Sequence, residues 1–179
     1  MTAPSALDAT KKWLEEMVIG HNLCPFAKKP LVKNQIHFHQ IITSKQKAAL
    51  TEFSEQIQFL EDTPAIETTL IIFSEGFKDF YQYLDLVDYA MHWLADNGYE
   101  GVYQIATFHP EYLFEGEDID SASHYTNRAP YPILHLLREN SLTRALESYS
   151  EPEKIPENNI AKMQAIGAQK LKELLMQYR

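Results

Sequence analysis

The chain carries a single cysteine, Cys24, in 179 residues. An internal disulfide is therefore impossible, and so is a cysteine-only zinc site within one chain. Glycine is scarce too: the six residues are scattered, and none forms a GxGxxG turn or a phosphate loop. Neither a GxSxG elbow nor an HExxH pair occurs. Long apolar runs are missing. The longest, such as residues 70–73, are far too short to cross a bilayer, so no membrane association is expected. The opening MTAPSALDATKKWLEE lacks the apolar stretch of a secretory signal, which makes the cytoplasm the expected location. Positive charge is short as well, with 16 Lys and Arg against 25 Asp and Glu and a net charge of −9. Such a surface repels phosphate backbones and argues against nucleic acid as a partner. The one basic cluster, Lys28, Lys29 and Lys33, reads as solvated surface.

What is present is an ordinary globular composition, 45% hydrophobic and 23% charged, long enough for one domain with a sizeable core. No solenoid-length repeat or low-complexity tract is visible. Residues 5–20 place Trp13, Leu14, Met17 and Val18 on one helical face, with Gly20 and Asn22 as stop signals. Residues 35–43 alternate as a strand, with His37, His39 and Ile41 on one side. A helical stripe follows over 44–62, then TTLIIFS (68–74), a run suited to a strand buried on both faces. Residues 77–97 predict a helix and 102–108 a strand. Residues 133–147 predict a helix with Pro132 near its first turn. The last helix is expected over 157–178, after a connector marked by Pro152 and Pro156. A fourth strand could lie near 30–33. Alternating strands and helices predict an α/β fold: one domain spanning 1–179, with a small, mainly parallel sheet of three or four strands packed with about five helices. A ferredoxin-like α+β sandwich is the alternative.

The densest chemistry lies in residues 107–139, TFHPEYLFEGEDIDSASHYTNRAPYPILHLLRE. A loop of about twenty residues inside a compact domain is usually functional or disordered, and its aromatics argue against disorder. In an open α/β sheet, ligands bind beyond the carboxyl ends of the strands. Here those ends carry Thr43-Ser44, Ser74-Glu75-Gly76 and His109-Pro110-Glu111, and the third launches the loop. His109 is placed for acid–base work; the competing role is a ring held by a loop carbonyl. Tyr125, Asn127 and Arg128 suit an anion clamp, with Glu75 from the neighbouring strand end as a further substrate contact. Alternatively Arg128 pairs with Glu115, Glu117, Asp118 or Asp120. His135 reads as a core or boundary histidine.

Cys24 sits in HNLCPFA. If Pro25 opens a helical turn, the thiol lies at a helix N-terminus, where its pKa falls; otherwise it is a small buried apolar residue. His37 and His39 share a strand face at metal-ligand spacing, and His109 could complete a metal site with them. The aromatic residues fall mainly at helical spacing and read as core. The string CPFA is similar to the single-cysteine motif of omega-class glutathione transferases, although there it follows a strand and here a helix pattern precedes it.

At NLCPFAK (22–28), TFHP (107–110) and YTNRAPYPILHLLRE (125–139), the chain resembles a bacterial family known as a domain of unknown function, number 1415. The resemblance runs over nearly the whole chain. It implies no activity or cofactor, and it joins the Cys24, His109 and Arg128 segments in one family pattern. The functional expectation is a small cytoplasmic enzyme. Cys24 is its nucleophile or redox thiol, His109 its acid–base, and Arg128, Asn127 and Tyr125 its clamp for a small anionic metabolite. Two alternatives stand beside it: a non-enzymatic anion-binding module, and a metal-dependent enzyme using His37, His39 and His109. Cofactor and oligomeric state are left open.

Overall fold

A computed structural model describes residues 4–179. Helix α1 (Ala6–Trp13) is capped by Ser5, whose hydroxyl accepts from the Asp8 N–H. It runs on as a π-helix over Leu14–Ile19. After the short α2 (Lys28–Val32) come β1 (Ile36–Ile41), α3 (Gln46–Asp62), β2 (Thr68–Phe73), α4 (Phe80–Asp96) and β3 (Tyr103–Phe108). The loop after β3 contains a 3-10 turn (Ala122–Thr126) and leads to β4 (Ile133–Arg138), α5 (Glu139–Glu147), α6 (Ile155–Ile166) and α7 (Ala168–Met176).

The sheet order is β1-β2-β4-β3. Strands β1 and β2 pair in parallel, and β4 is antiparallel to both β2 and β3. Three of the four strands thus point the same way, and β4 runs back between two of them. The carboxyl ends of β1, β2 and β3 therefore share one edge with the start of β4.

The structure departs from the sequence expectation in three places. Residues 133–138 are a strand and not the first half of a helix. Their run ILHLLR fills a slot between two strands, with Ile133 on one face and Leu134 and Leu136 on the other, all fully buried. Residues apolar on both faces carry no period that separates strand from helix. The fourth strand is thus β4, and residues 30–33 belong to α2 and its C-cap. Gly167, at φ 89°, divides the last helix into α6 and α7.

Both faces of the sheet are covered. Ile41, Ile71, Phe73, Leu134 and Leu136 meet α3 and α4. Leu70, Ile72 and Ile133 meet α1, the π-helix, α6 and α7 through Trp13, Met17, Met163 and Leu171. This accounts for the absence of polar alternation in β2, where all six residues are buried. Among the described residues no helix is long and apolar enough to cross a membrane.

The shared edge is tightly built. Tyr83 of α4 is fully buried, and its hydroxyl donates to the Ile133 carbonyl (2.7 Å) and accepts from the Phe108 N–H (3.1 Å). It ties the end of β3 to the start of β4. Gly76 lets the β2–α4 connection pass against the end of β1: an added Cβ would lie 2.8 Å from the Ser44 Cα and closer still to the Thr43 carbonyl oxygen. Because both neighbours are backbone, Gly76→Ala is predicted to destabilise the fold by about 1–3 kcal/mol. Urea unfolding of the variant should show a lower midpoint at unchanged slope, and an unchanged midpoint would refute the close approach.

Candidate functional site

The loop that leaves β3 has more than twenty backbone donors and acceptors to satisfy, roughly one of each per residue. Two buried histidines satisfy several of them. His109 has no exposed surface; its Nδ1 accepts from the Glu111 N–H (3.0 Å) and its Nε2 donates to the Phe77 carbonyl (3.0 Å). His124, also without exposed surface, accepts at Nδ1 from the Phe114 N–H (3.1 Å) and donates from Nε2 to the Asp118 carbonyl (2.8 Å). A carbonyl can only accept and a backbone N–H can only donate. These partners therefore select the neutral Nε2–H tautomer for both rings. Phe77, the residue His109 holds, has φ 58°, a left-handed conformation unusual for an aromatic residue. The His109 ring packs against Phe80 and Tyr83, in the layer of α4.

Asn127 closes the loop. Its side-chain amide donates to the Thr107 carbonyl (3.0 Å), and its own carbonyl accepts from the His109 N–H (3.1 Å). On the opposite layer the π-helix delivers the chain to Cys24. Leu23 N–H bonds to the Val18 carbonyl five residues back (2.8 Å), and Asn22 takes φ 50°. Helix α6 holds this segment: Asn159 donates to the Leu23 carbonyl (2.6 Å), and Lys162 to that of Asn22 (3.0 Å).

Between the loop and α6 lies a cleft of about 500 Å³ that includes Cys24 and Asn127 in its wall. Val18, Leu23, Phe108, Phe114, Ile155 and Ile160 give it an apolar body. Its polar groups include Glu115, Glu117, Ser123 and Thr126, and among the described residues no lysine, arginine or histidine lines it. Glu117 is oriented by the hydroxyls of Ser121 and Ser123, which both donate to its Oε2 at 3.2 Å.

The sequence profile of a family described as "Protein of unknown function (DUF1415)" matches residues 5–173. The chain belongs to that family. Comparison with curated proteins and with solved structures found no match.

In this DUF1415 protein the expected site residues divide among separate places. Cys24 and Asn127 share the cleft. Cys24 packs against the α1–α6–α7 layer and His109 against α4, so the sheet edge separates thiol from imidazole. Both nitrogens of His109 are already committed. Cys24 lies before a turn and not at a helix N-terminus, since α2 begins at Lys28. Burial pushes its thiol above the ordinary value of 9.0, and hydrogen bonds from the Phe26 and Ala27 backbone only partly offset this. The thiol–histidine dyad is therefore not assembled.

The three-histidine metal site is not assembled either. β1 and β3 are the two edge strands, so His109 is remote from the other pair. His37 stacks on Phe59 (4.4 Å between centroids), and His39 Nε2 meets Glu52 at 2.8 Å. Among the described residues no group of three or more His, Cys, Asp and Glu is arranged for a metal. Glu75 is exposed and pairs with Lys78 at 3.8 Å. Tyr125 is buried beneath the Arg128 guanidinium, 4.6 Å from its ring centroid. Arg128 pairs with none of Glu115, Glu117, Asp118 and Asp120, and it does not line the cleft.

Sequence reasoning passed over His124 as a loop anchor, Glu117 as a cleft carboxylate and the whole α6 wall. The first two lay inside the stretch it singled out. The α6 contacts to residues 22 and 23 bridge more than 130 positions and leave no local signal.

His109 and His135 make the fold sensitive to acid. Burial lowers the pKa of His109. Burial also lowers that of His135 to about 4, and its Nε2 donates to the Thr68 hydroxyl (2.6 Å), whose own proton goes to Leu136. A histidine with a depressed folded pKa leaves stability intact above its unfolded value near 6.5 and removes it as pH falls below that, because the unfolded chain takes up the proton first. Urea unfolding should therefore lose stability from about pH 6.5 downward, before ordinary carboxylates titrate, with at most about 3 kcal/mol from His135 by pH 4. A flat profile between pH 7.5 and 5 would contradict the buried neutral rings.

Proposed function

We propose that this protein binds a small molecule in the Cys24 cleft, and that the ligand has an apolar body and a neutral or positively charged polar head. The make-up of the wall carries the reading. Apolar side chains from four segments enclose about 500 Å³, a size suited to a small ligand. Among the described residues, Glu115 and Glu117 are its only charged side chains. An anion would meet a negative wall, whereas an ammonium or hydroxyl group finds carboxylate and amide partners in Glu117 and Asn127. Ser121 and Ser123 hold Glu117 in place before a ligand arrives, which reduces the ordering cost of binding.

A binding protein fits better than a thiol enzyme. A nucleophilic thiol needs a base within hydrogen-bond reach or a lowered pKa. Burial acts on Cys24 in the opposite direction, and His109 is committed to the loop. In this reading Cys24 is a wall contact and a convenient reporter.

Alkylation by iodoacetamide tests both points. The rate at Cys24 should be slower in native than in unfolded protein at pH 7.5, with an apparent thiol pKa above 9. Benzylammonium should protect Cys24 in a saturable way and benzoate should not, and Glu117→Gln should weaken protection by about fivefold or more. A fast thiolate reaction at neutral pH would restore the enzyme reading. Equal protection by benzoate, or none by either probe, would refute the proposed ligand class.

A further inference from the structure

A second place on the loop, outside the cleft, has the opposite charge. We propose that Arg128, assisted by Arg179, binds the oxyanion of a small molecule, a carboxylate or a phosphate group.

Arg138 shows what an arginine does when its role is internal. Arg138 commits all three of its nitrogens: Nε to the Ile66 carbonyl, one Nη to the Tyr103 hydroxyl and the other to the Leu60 carbonyl. Arg128 commits one. Its Nε donates to the Tyr112 carbonyl (3.2 Å), and its guanidinium lies over the buried Tyr125 ring. The stack fixes the plane and the Nε bond fixes the rotation about it. Both Nη groups are left without a hydrogen-bond partner among the described residues, and neither is sealed from solvent. No carboxylate among the described residues forms an ion pair with it. A half-buried guanidinium held this way presents a two-donor edge matched to a planar or tetrahedral oxyanion. Its orientation is settled before binding, so little further ordering is required.

Arg179 shows the same Nε anchoring on the same loop. Its Nε donates to the carbonyl of Pro130 (2.7 Å), two residues after Arg128, and no other hydrogen bond from its guanidinium is formed among the described residues. Its charge reaches His109, whose carbonyl holds the Tyr112 N–H (3.2 Å). Both arginines are thus anchored through Nε on main-chain carbonyls of the same loop, at Tyr112 and Pro130. The carboxylates of Glu111 and Asp79 also act on His109, yet neither pairs with Arg128 or Arg179. On a chain of net charge −9, Arg128 and Arg179 are two guanidinium groups that no carboxylate among the described residues neutralises by an ion pair. The proposal is independent of the cleft reading, since Arg128 is not part of the cleft wall.

The test is a titration of the wild-type protein with sodium phosphate, sodium acetate or sodium chloride at constant ionic strength, read from the arginine Nε–H signals by NMR. The expected result is a saturable shift at Arg128 and Arg179 with phosphate, acetate or both, no such shift with chloride, and a stationary Arg144. Which of the two oxyanions saturates the site identifies the headgroup. Arg128→Lys should weaken binding by about tenfold, because a point charge replaces a fork. Should that variant fail to fold, Arg179→Gln on the exposed terminus should still weaken it by about threefold. An adventitious, chloride-like response, or wild-type affinity in the variant that folds, would overturn the site.

Discussion

The loop at the carboxyl edge of the sheet depends on two imidazole rings that each bridge a backbone N–H and a backbone carbonyl. A long loop on a folded surface needs partners for its main chain, and no strand or long helix supplies them here. His109 fastens the loop's beginning to the left-handed Phe77 on the neighbouring connection. His124 fastens its middle to itself, across Phe114 and Asp118. Phe114 then stands as one wall of the cleft, and Tyr112 offers the carbonyl that turns Arg128 outward. The arrangement works only while both rings are neutral, since a second ring proton would point at a backbone N–H.

The same loop separates two kinds of chemistry. One side, with Cys24, Asn127 and Glu117, is apolar and negative. The other carries Arg128 and Arg179 without carboxylate partners. Thr126 and Asn127 contribute to the cleft wall, whereas Tyr125 and Arg128 stack on each other and are not part of it. A single site combining thiol, imidazole and guanidinium is what the motif strings suggest when read side by side. In three dimensions Cys24 packs against the α1–α6–α7 layer and His109 against α4, while Arg128 stacks on Tyr125 outside the cleft wall.

Much of the fold was legible in the sequence. The continuous TTLIIF run announced a strand buried on both faces, and the stripes through Phe53, Ile57 and Leu60 and through Tyr83, Val87 and Leu94 announced α3 and α4. The codirectional β1, β2 and β3 followed from their alternation with helices. The β4 segment did not reveal itself, because ILHLL is apolar on both faces and Pro132 imitates a helix start. For the site, the loop could be found from its length and its histidines. The roles could not: whether a histidine serves catalysis or scaffolding depends on where its two nitrogens point, and that is settled by partners such as Phe77, thirty-two positions away.

The most direct test of this account is the tautomer of His109 and His124, read by nitrogen-15 NMR of the imidazole rings at pH 8. The account predicts that both rings carry the proton on Nε2 and accept a hydrogen bond at Nδ1, with the Glu111 and Phe114 amides slow to exchange. An Nδ1–H tautomer, rapid tautomer averaging, or fast exchange at those two amides would contradict it. The loop would then need another anchor.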